Sequence, residues 1–271
     1  MPPASDGAFA RWLAGEAGEL LRTLRVDRGH GDPDTLRAAG DKHAHDLITT
    51  ALALWRPGDE VLSEEADNAR IAVSSDAARG VRSRLDAERV WIVDPLDGTR
   101  EYGEPGRGDW AVHIALWSRT TIASCGLVAA AVALPAQRRV LSTDDPPGYP
   151  PMSAAAAAGG RLLLAASRSR PPAFLAGLAE RLGADLVPMG SAGAKIAAVI
   201  SGDVDGYVHA GGQYEWDSAA PVAVALATGL HASRIDGSPL TYNRADPRLP
   251  DIAVCRKDLA PRLLAALADL H

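Results

Sequence analysis

The chain has 271 residues, 47% of them hydrophobic, enough to enclose one large core or two coupled smaller ones. Its 28 basic and 34 acidic residues leave a formal net charge of -6 with no run of lysine or arginine, which excludes a nucleic-acid polymer or an anionic membrane surface as the expected partner and favours small molecules. Two cysteines, Cys125 and Cys255, lie among apolar neighbours without metal-ligand spacing and read as buried free thiols; with no apolar run of signal-peptide or membrane-span length, the expected location is the cytoplasm.

Phe9, Trp12, Leu13, Ala17, Leu20, Leu21 and Leu24 recur at helical spacing and predict an amphipathic helix over residues 5–25, capped by Ser5 or Asp6. The mixture RVDRGHGDPDTLRAAG reads as a loop. A second helix is expected from Asp41 to Trp55, burying Leu47, Ile48, Ala51 and Leu52 and ended by RPGD. Strands are expected at Glu60 to Ser63 and Val90 to Val93, and then DWAVHIALW, TIASCGLVAAAVALP and RRVLST read as consecutive antiparallel strands under a helical cover. From Asp144 the composition turns proline-rich and then alanine-glycine-rich, the pattern of a linker or surface loop. Beyond it strand and helix alternate: LLLAAS, helix 171–183, DLVPMG, helix 192–201, GYVHA, helix 217–228, HASRI, DIAVCR and helix 257–270. This predicts an N-terminal α+β half, residues 1–145, and a C-terminal α/β half, residues 146–271, with a more parallel sheet.

The stretch RVWIVDPLDGTREY carries the first chemical signal. Pro95 has no N–H with which to continue a ladder, so the buried strand is expected to break there and leave Asp94 and Asp97 at its rim, while Gly98 lets the chain bend. Two carboxylates held this close repel one another, and the remedies are a raised pKa on one or a divalent cation between them. With no histidine or cysteine near enough for zinc, hard oxygen ligands favour magnesium. The plain alternative is an Asx-type turn with solvated aspartates. Two further acidic sites weigh against it. VLSEEAD supplies Glu64 and Glu65, and EWDSAAPVAVALATG sets Asp217 at the start of an apolar helix, where alone it would read as an N-cap.

SEE, DPLDGTREY and WDSAA, in that order, resemble the signature of the magnesium-dependent, lithium-sensitive phosphatases of the inositol monophosphatase superfamily. DWAVHIAL, GSAGAK and HAGGQYEWDSAAP bring the likeness closer to its actinobacterial CysQ branch, phosphatases of 3'-phosphoadenosine 5'-phosphate that serve sulfate assimilation. The resemblance implies a layered α-β-α-β-α sugar-phosphatase fold in which the C-terminal half completes the active site. It implies that Glu64, Asp94 and the carbonyl of Leu96 hold one magnesium ion, that Asp94, Asp97 and Asp217 hold a second, and that Glu65 serves a third where one binds. Such ions clamp an in-line phosphoryl displacement. Glu64 and Thr99 would orient the attacking water, with Asp41 behind Thr99, and the N–H groups of Gly98 and Thr99 would receive phosphate oxygens. The family's usual loop before that aspartate differs here, reading RAAGD with His30 near the position of an upstream lysine. Family members are often homodimers, and lithium inhibition is implied.

Ser191 and Lys195, four apart on one face of a helix start, are expected to contact the substrate; a lysine there opposes the helix dipole and should have another use, a solvated side chain being the alternative. By alignment with the inositol phosphatases, His209 stands where those enzymes carry a sugar-binding glutamate. Beside a second phosphate its imidazole would be charged, and a core histidine is the alternative reading. Trp110, Tyr207 and Tyr214 are candidates to stack an adenine, against the ordinary alternative of core packing. The expected activity is hydrolysis of 3'-phosphoadenosine 5'-phosphate to AMP and phosphate. Its rivals are an inositol monophosphatase or fructose 1,6-bisphosphatase, and a catalytically silent nucleotide or metal sensor. A silent sensor should have lost one of Glu64, Asp94, Asp97, Thr99 and Asp217, all of which are present.

Overall fold

In the computed structural model, which describes residues 1–66, 84–120 and 126–270, Ser5 caps helix α1 (Asp6–Arg28) by accepting a hydrogen bond from Ala8 N. Helix α2 (Pro33–Trp55) begins eight residues before the expected Asp41. Asp32 accepts from Thr35 N at 3.1 Å and Pro33 sits in the first turn, so DPDT, which reads as loop, is a helix start. Asp41 therefore lies inside a helix.

The first sheet is ordered β1-β2-β3-β4-β5: β1 (Glu60–Ser63), β2 (Arg89–Asp97), β3 (Ala111–Ser118), β4 (Leu127–Leu134) and β5 (Arg139–Ser142). Strand β1 pairs parallel with β2 and the rest pair antiparallel. A short helix α3 (Thr99–Gly103) follows β2. The segment read as a linker is docked instead. Ser153 is buried, donates from N and Oγ to Asp205 and caps the short helix α4 (Ala154–Ala157), while Pro150 O accepts from Arg256.

The second sheet comprises β6 (Leu162–Ser167), β7 (Ala184–Met189), β8 (Gly206–Tyr214), β9 (His231–Ser233) and β10 (Arg248–Cys255), in the order β7-β6-β8-β10-β9. It is mixed. Strand β6 is parallel to β7 and β8, whereas β10 is antiparallel to β8 and β9, because the chain returns from β9 to β10 without a crossover helix. The helices of this half are α5 (Leu175–Leu182), which starts after Pro171 and Pro172 rather than at them, α6 (Ala192–Ser201), α7 (Glu215–Ala227) and α8 (Ala260–Ala268).

Side-chain alternation along β2 to β4 assigns the layers. Trp91, Val93, Val112, Ile114 and Ala131 pack against α1 and α2, while Val90, Ile92, Ala115 and Val132 face α6 and α7. Those two helices also cover the inner face of the second sheet through Tyr207, Ile252 and Val254, and α5 and α8 cover its outer face with Leu164, Val208 and Ala253. The result is the expected α-β-α-β-α stack. Cys255 is a buried free thiol in the outer core, and Cys125 lies outside the described residues. No helix among the described residues is long and apolar enough to cross a membrane.

Candidate active site

Strand β2 does not break at Pro95 but runs on to Asp97. Strand β1 ends at Ser63 opposite Val93, so Pro95 lies beyond the last β1 partner, and the ladder to β3 skips from Asp94↔His113 to Asp97↔Ala111. A proline is tolerated at such a bulged edge, and the bulge brings two carboxylates three residues apart to one place. By alternation Asp94 continues the face of Ile92, toward α6 and α7. Its Oδ1 accepts from Leu96 N at 3.1 Å.

The partner carboxylates come from elsewhere in the fold. Asp97 is gripped by the start of α6: its Oδ2 accepts from Ser191 Oγ at 2.6 Å and from Gly193 N at 2.7 Å, and His113 Nε2 lies 3.4 Å away. Ser191 Oγ in turn caps α6 by accepting from Ala194 N. Asp217 lies within the first turn of α7 rather than at its N-cap, and its Oδ2 accepts from Tyr214 N at 2.6 Å. Carboxylate oxygens of Asp94, Asp97 and Asp217 all lie within 4.8 Å of one another. Burial first, then Glu64, Asp97 and Asp217, drives the Asp94 pKa well above the ordinary carboxylate range; burial and then Asp97 do the same to Asp217. Three close carboxylates, two buried and that of Asp217 half-buried, with an oxygen-only donor set fit a hard divalent cation such as magnesium.

Thr99 opens α3, and its Oγ1 lies 2.9 Å from Leu96 O and 3.3 Å from Asp41 Oδ1, so its one proton has two acceptors in reach. Asp41 reaches it because Gly40 lets α2 close on β2 and α3: a Cβ there would stand 2.8 Å from the Tyr102 ring and 3.0 Å from Leu96. Glu64 follows β1 and lines the same cavity; Glu65 is exposed and does not. His30 is bonded to Gly103 O, away from the cavity.

The cavity, about 400 Å³, is also lined by Gly98, Ser191, Lys195, Tyr207 and His209. Lys195 is 4% exposed, reaches back to Gly190 O at 3.0 Å, and lies 5.4 Å from the centre of the Tyr207 ring. It is therefore not a solvated lysine. Around His209, burial, then Lys195, push the imidazole pKa down, with Arg170 adding to both. Of the three aromatic candidates only Tyr207 lines the cavity. Trp110 packs edge-on against Tyr102 in the α1–α2 core, and Tyr214 stacks on Trp216.

Sequence reasoning passed over three residues here. Arg170, at the end of the ASRSR that closes β6, is exposed at the cavity wall with no side-chain partner among the described residues. Its position after a strand was the available signal. His113 is fully buried and hydrogen-bonds to Trp216 O at 2.9 Å; a histidine in the apolar strand DWAVHIAL was the signal. Gln213 lines the cavity beside the glycine pair of HAGGQ.

The model of the inositol monophosphatase family matches residues 7–271. The 3'-phosphoadenosine 5'-phosphate phosphatase of Mycobacterium leprae is 49% identical over 271 residues, covering 98% of this chain and 94% of that protein. Its counterpart in Mycobacterium tuberculosis is 51% identical over 255 residues, 94% and 90% of the two chains. The 3'(2'),5'-bisphosphate nucleotidase CysQ of Escherichia coli is 29% identical over 222 residues, 80% and 82%. Among solved structures, Mycobacterium tuberculosis SuhB superposes with a TM-score of 0.68 at 23% identity over 98% of this chain and 96% of that one. Inositol monophosphatase II of Staphylococcus aureus superposes with a TM-score of 0.70 at 20% identity over 94% and 92%.

Proposed function

This chain belongs to the inositol monophosphatase family, and from that premise we propose that it is a magnesium-dependent phosphomonoesterase that hydrolyses 3'-phosphoadenosine 5'-phosphate to AMP and phosphate. The observation that carries the reading is one cavity with two characters: a close cluster of carboxylates, and basic side chains, Lys195 and Arg170, on the remaining wall. A bisphosphate needs both. An ester with a single phosphate has no use for the basic side chains.

Glu64, Asp94 and the Leu96 carbonyl would hold one magnesium ion, and Asp94, Asp97 and Asp217 a second. Magnesium bound there supplies positive charge to the phosphoryl oxygens and acidity to a water. The protein's own groups set the rest. The start of α6 fixes the rotamer of Asp97 through Ser191 and Gly193, so one carboxylate oxygen is spent on positioning and the other is left for the cation. Thr99 and Glu64 would flank the attacking water; with the Leu96 carbonyl given to the cation, Asp41 would be the acceptor left for the Thr99 hydroxyl and would direct its lone pairs. Water oxygen bonds to phosphorus, the bond to the 3' oxygen breaks, and a proton ends on that oxygen. Lys195 and Arg170 receive the 5'-phosphate. Lithium is expected to inhibit at the site around Asp97 and Asp217.

The test compares phosphate release with magnesium from 3'-phosphoadenosine 5'-phosphate, inositol 1-phosphate and fructose 1,6-bisphosphate by kcat/KM. The nucleotide should lead. A lead by either of the others would move the assignment to that branch of the family.

A further inference from the structure

Two polar atoms in the wall of the cavity are buried with no hydrogen-bond partner: Gln213 Oε1 and His209 Nδ1. Both residues are 7% exposed. Such atoms are uncommon in folded proteins, because an acceptor removed from water and left unpaired is destabilising. Neither belongs to the carboxylate cluster. Their other ends are fixed. Gln213 Nε2 donates to Tyr207 Oη at 3.0 Å, and Tyr207 is itself 1% exposed, so the amide is braced with its oxygen unspent. His209 Nε2 faces the carbonyl of Gly211 at 2.9 Å, which requires the proton on Nε2 and leaves Nδ1 a bare acceptor. The pair Gly211 and Gly212, both at positive φ (82° and 70°), carries the register shift against β10 between Leu249 and Asp251, and this irregular stretch separates His209 from Gln213 along β8. Where Lys195 and Arg170 offer cationic donors, this part of the wall offers two unpaired acceptors.

We propose that Gln213, braced by Tyr207, is a specificity-determining residue that reads a hydrogen-bond donor on the nucleoside of the substrate, a sugar hydroxyl or a base amine, with His209 Nδ1 as a second acceptor beside it. The inference rests on the nucleotide reading above and names the groups that recognise the nucleoside rather than its phosphates. A site built to pair with a donor discriminates against an analogue that lacks it, because the buried acceptor then stays unpaired.

Adenosine, 2'-deoxyadenosine and inosine 3',5'-bisphosphates separate the two sources of the donor, the second lacking the 2'-hydroxyl and the third the 6-amino group. The wild-type protein is expected to lose about tenfold in kcat/KM on one of the two analogues, about 1.4 kcal/mol. In Gln213→Met, which keeps the length of the side chain but removes the acceptor, that discrimination should collapse to within about twofold. Equal rates on all three bisphosphates in the wild type overturn the inference without need of the variant. Discrimination that survives intact in a folded Gln213→Met also overturns it and leaves the nucleotide reading standing. A wild type that prefers inositol 1-phosphate overturns both.

Discussion

Asp94 is the residue on which the site turns, because it is fully buried among other carboxylates and two cations would share it. Asp94→Asn is nearly isosteric and removes one of those charges, so turnover should fall by well over tenfold while the protein still folds; activity within tenfold of the parent would refute the shared-ligand assignment, as tenfold is only about 1.4 kcal/mol of barrier. The same burial makes a stability prediction with a definite sign. A carboxyl whose folded pKa is raised stabilises the fold while protonated, in full below the ordinary value near 3.9, and that contribution is lost as pH rises through the raised value. In chelator, the Tm of Asp94→Asn should therefore gain on the wild type as pH goes from about 4 to about 8, and magnesium should narrow the gap by stabilising the wild type more. A gap that does not change with pH sinks the argument. On the basic wall, Lys195 is one cause of the depressed His209 pKa, after burial. Lys195→Met should raise the pKa of that imidazole, read by NMR titration, and should weaken turnover of the bisphosphate more than that of inositol 1-phosphate. A His209 titration that does not move would remove Lys195 from its surroundings.

Helix α6 shows how an element delivers chemistry that its own sequence barely announces. Its start binds Asp97 from 94 and 96 residues away, through Ser191 Oγ and Gly193 N. A close approach is needed, and Gly193 provides it: a Cβ there would stand 1.9 Å from His113 Nε2. Gly193→Ala gains about 1 kcal/mol of helix propensity, but overpacking a buried contact costs about 1–3 kcal/mol, and an overlap this severe against a fully buried ring belongs at the upper end. The variant should thus have a lower Tm and, because α6 must withdraw from Asp97, a weaker rise of Tm with magnesium. A parental Tm and a parental magnesium response would show that His113 moves aside freely. The contrast with β2 explains what the sequence could tell. Pro95, the paired aspartates and Gly98 act within a few residues, so their chemistry was readable in order along the chain, as were most helices and strands. The start of α2 was hidden because Asp32-Pro33 has the composition of a loop and the geometry of a cap. Ser191, in GSAGAK, lines the cavity as a substrate-contacting residue would, but the bond from its hydroxyl to Asp97 is a pairing across the fold that no local pattern encodes. Gln213 and Arg170 were missed for the same reason: an unpaired acceptor or cation becomes visible only once the cavity around it exists.

At the scale of the molecule, the boundary near residue 145 divides the sequence but not the core. The largest apolar cluster joins Val90, Ile92 and Val132 of the first sheet to Tyr207, Ile252 and Val254 of the second through α6 and α7. The carboxylate cluster crosses the same line, with Asp94 and Asp97 on one side and Asp217 on the other. Residues 1–145 alone would leave the inner faces of β2, β3 and β4 in water and lack a third of that cluster, so this fragment should not fold cooperatively. The full chain should unfold in one transition, with calorimetric and van't Hoff enthalpies equal. Because the carboxylates that would hold magnesium come from both sides of the boundary, the ion should raise the midpoint of the whole transition rather than of part of it. At a hundred times its Kd the ion contributes about 2.7 kcal/mol, and at about 2–4 °C per kcal/mol for a chain of this size the shift should be about 5–10 °C. Calorimetry with chelator and with magnesium decides the matter. Two separable transitions, or a shift confined to one of them, would mean that the halves are independent domains and that the shared core contributes little to their coupling.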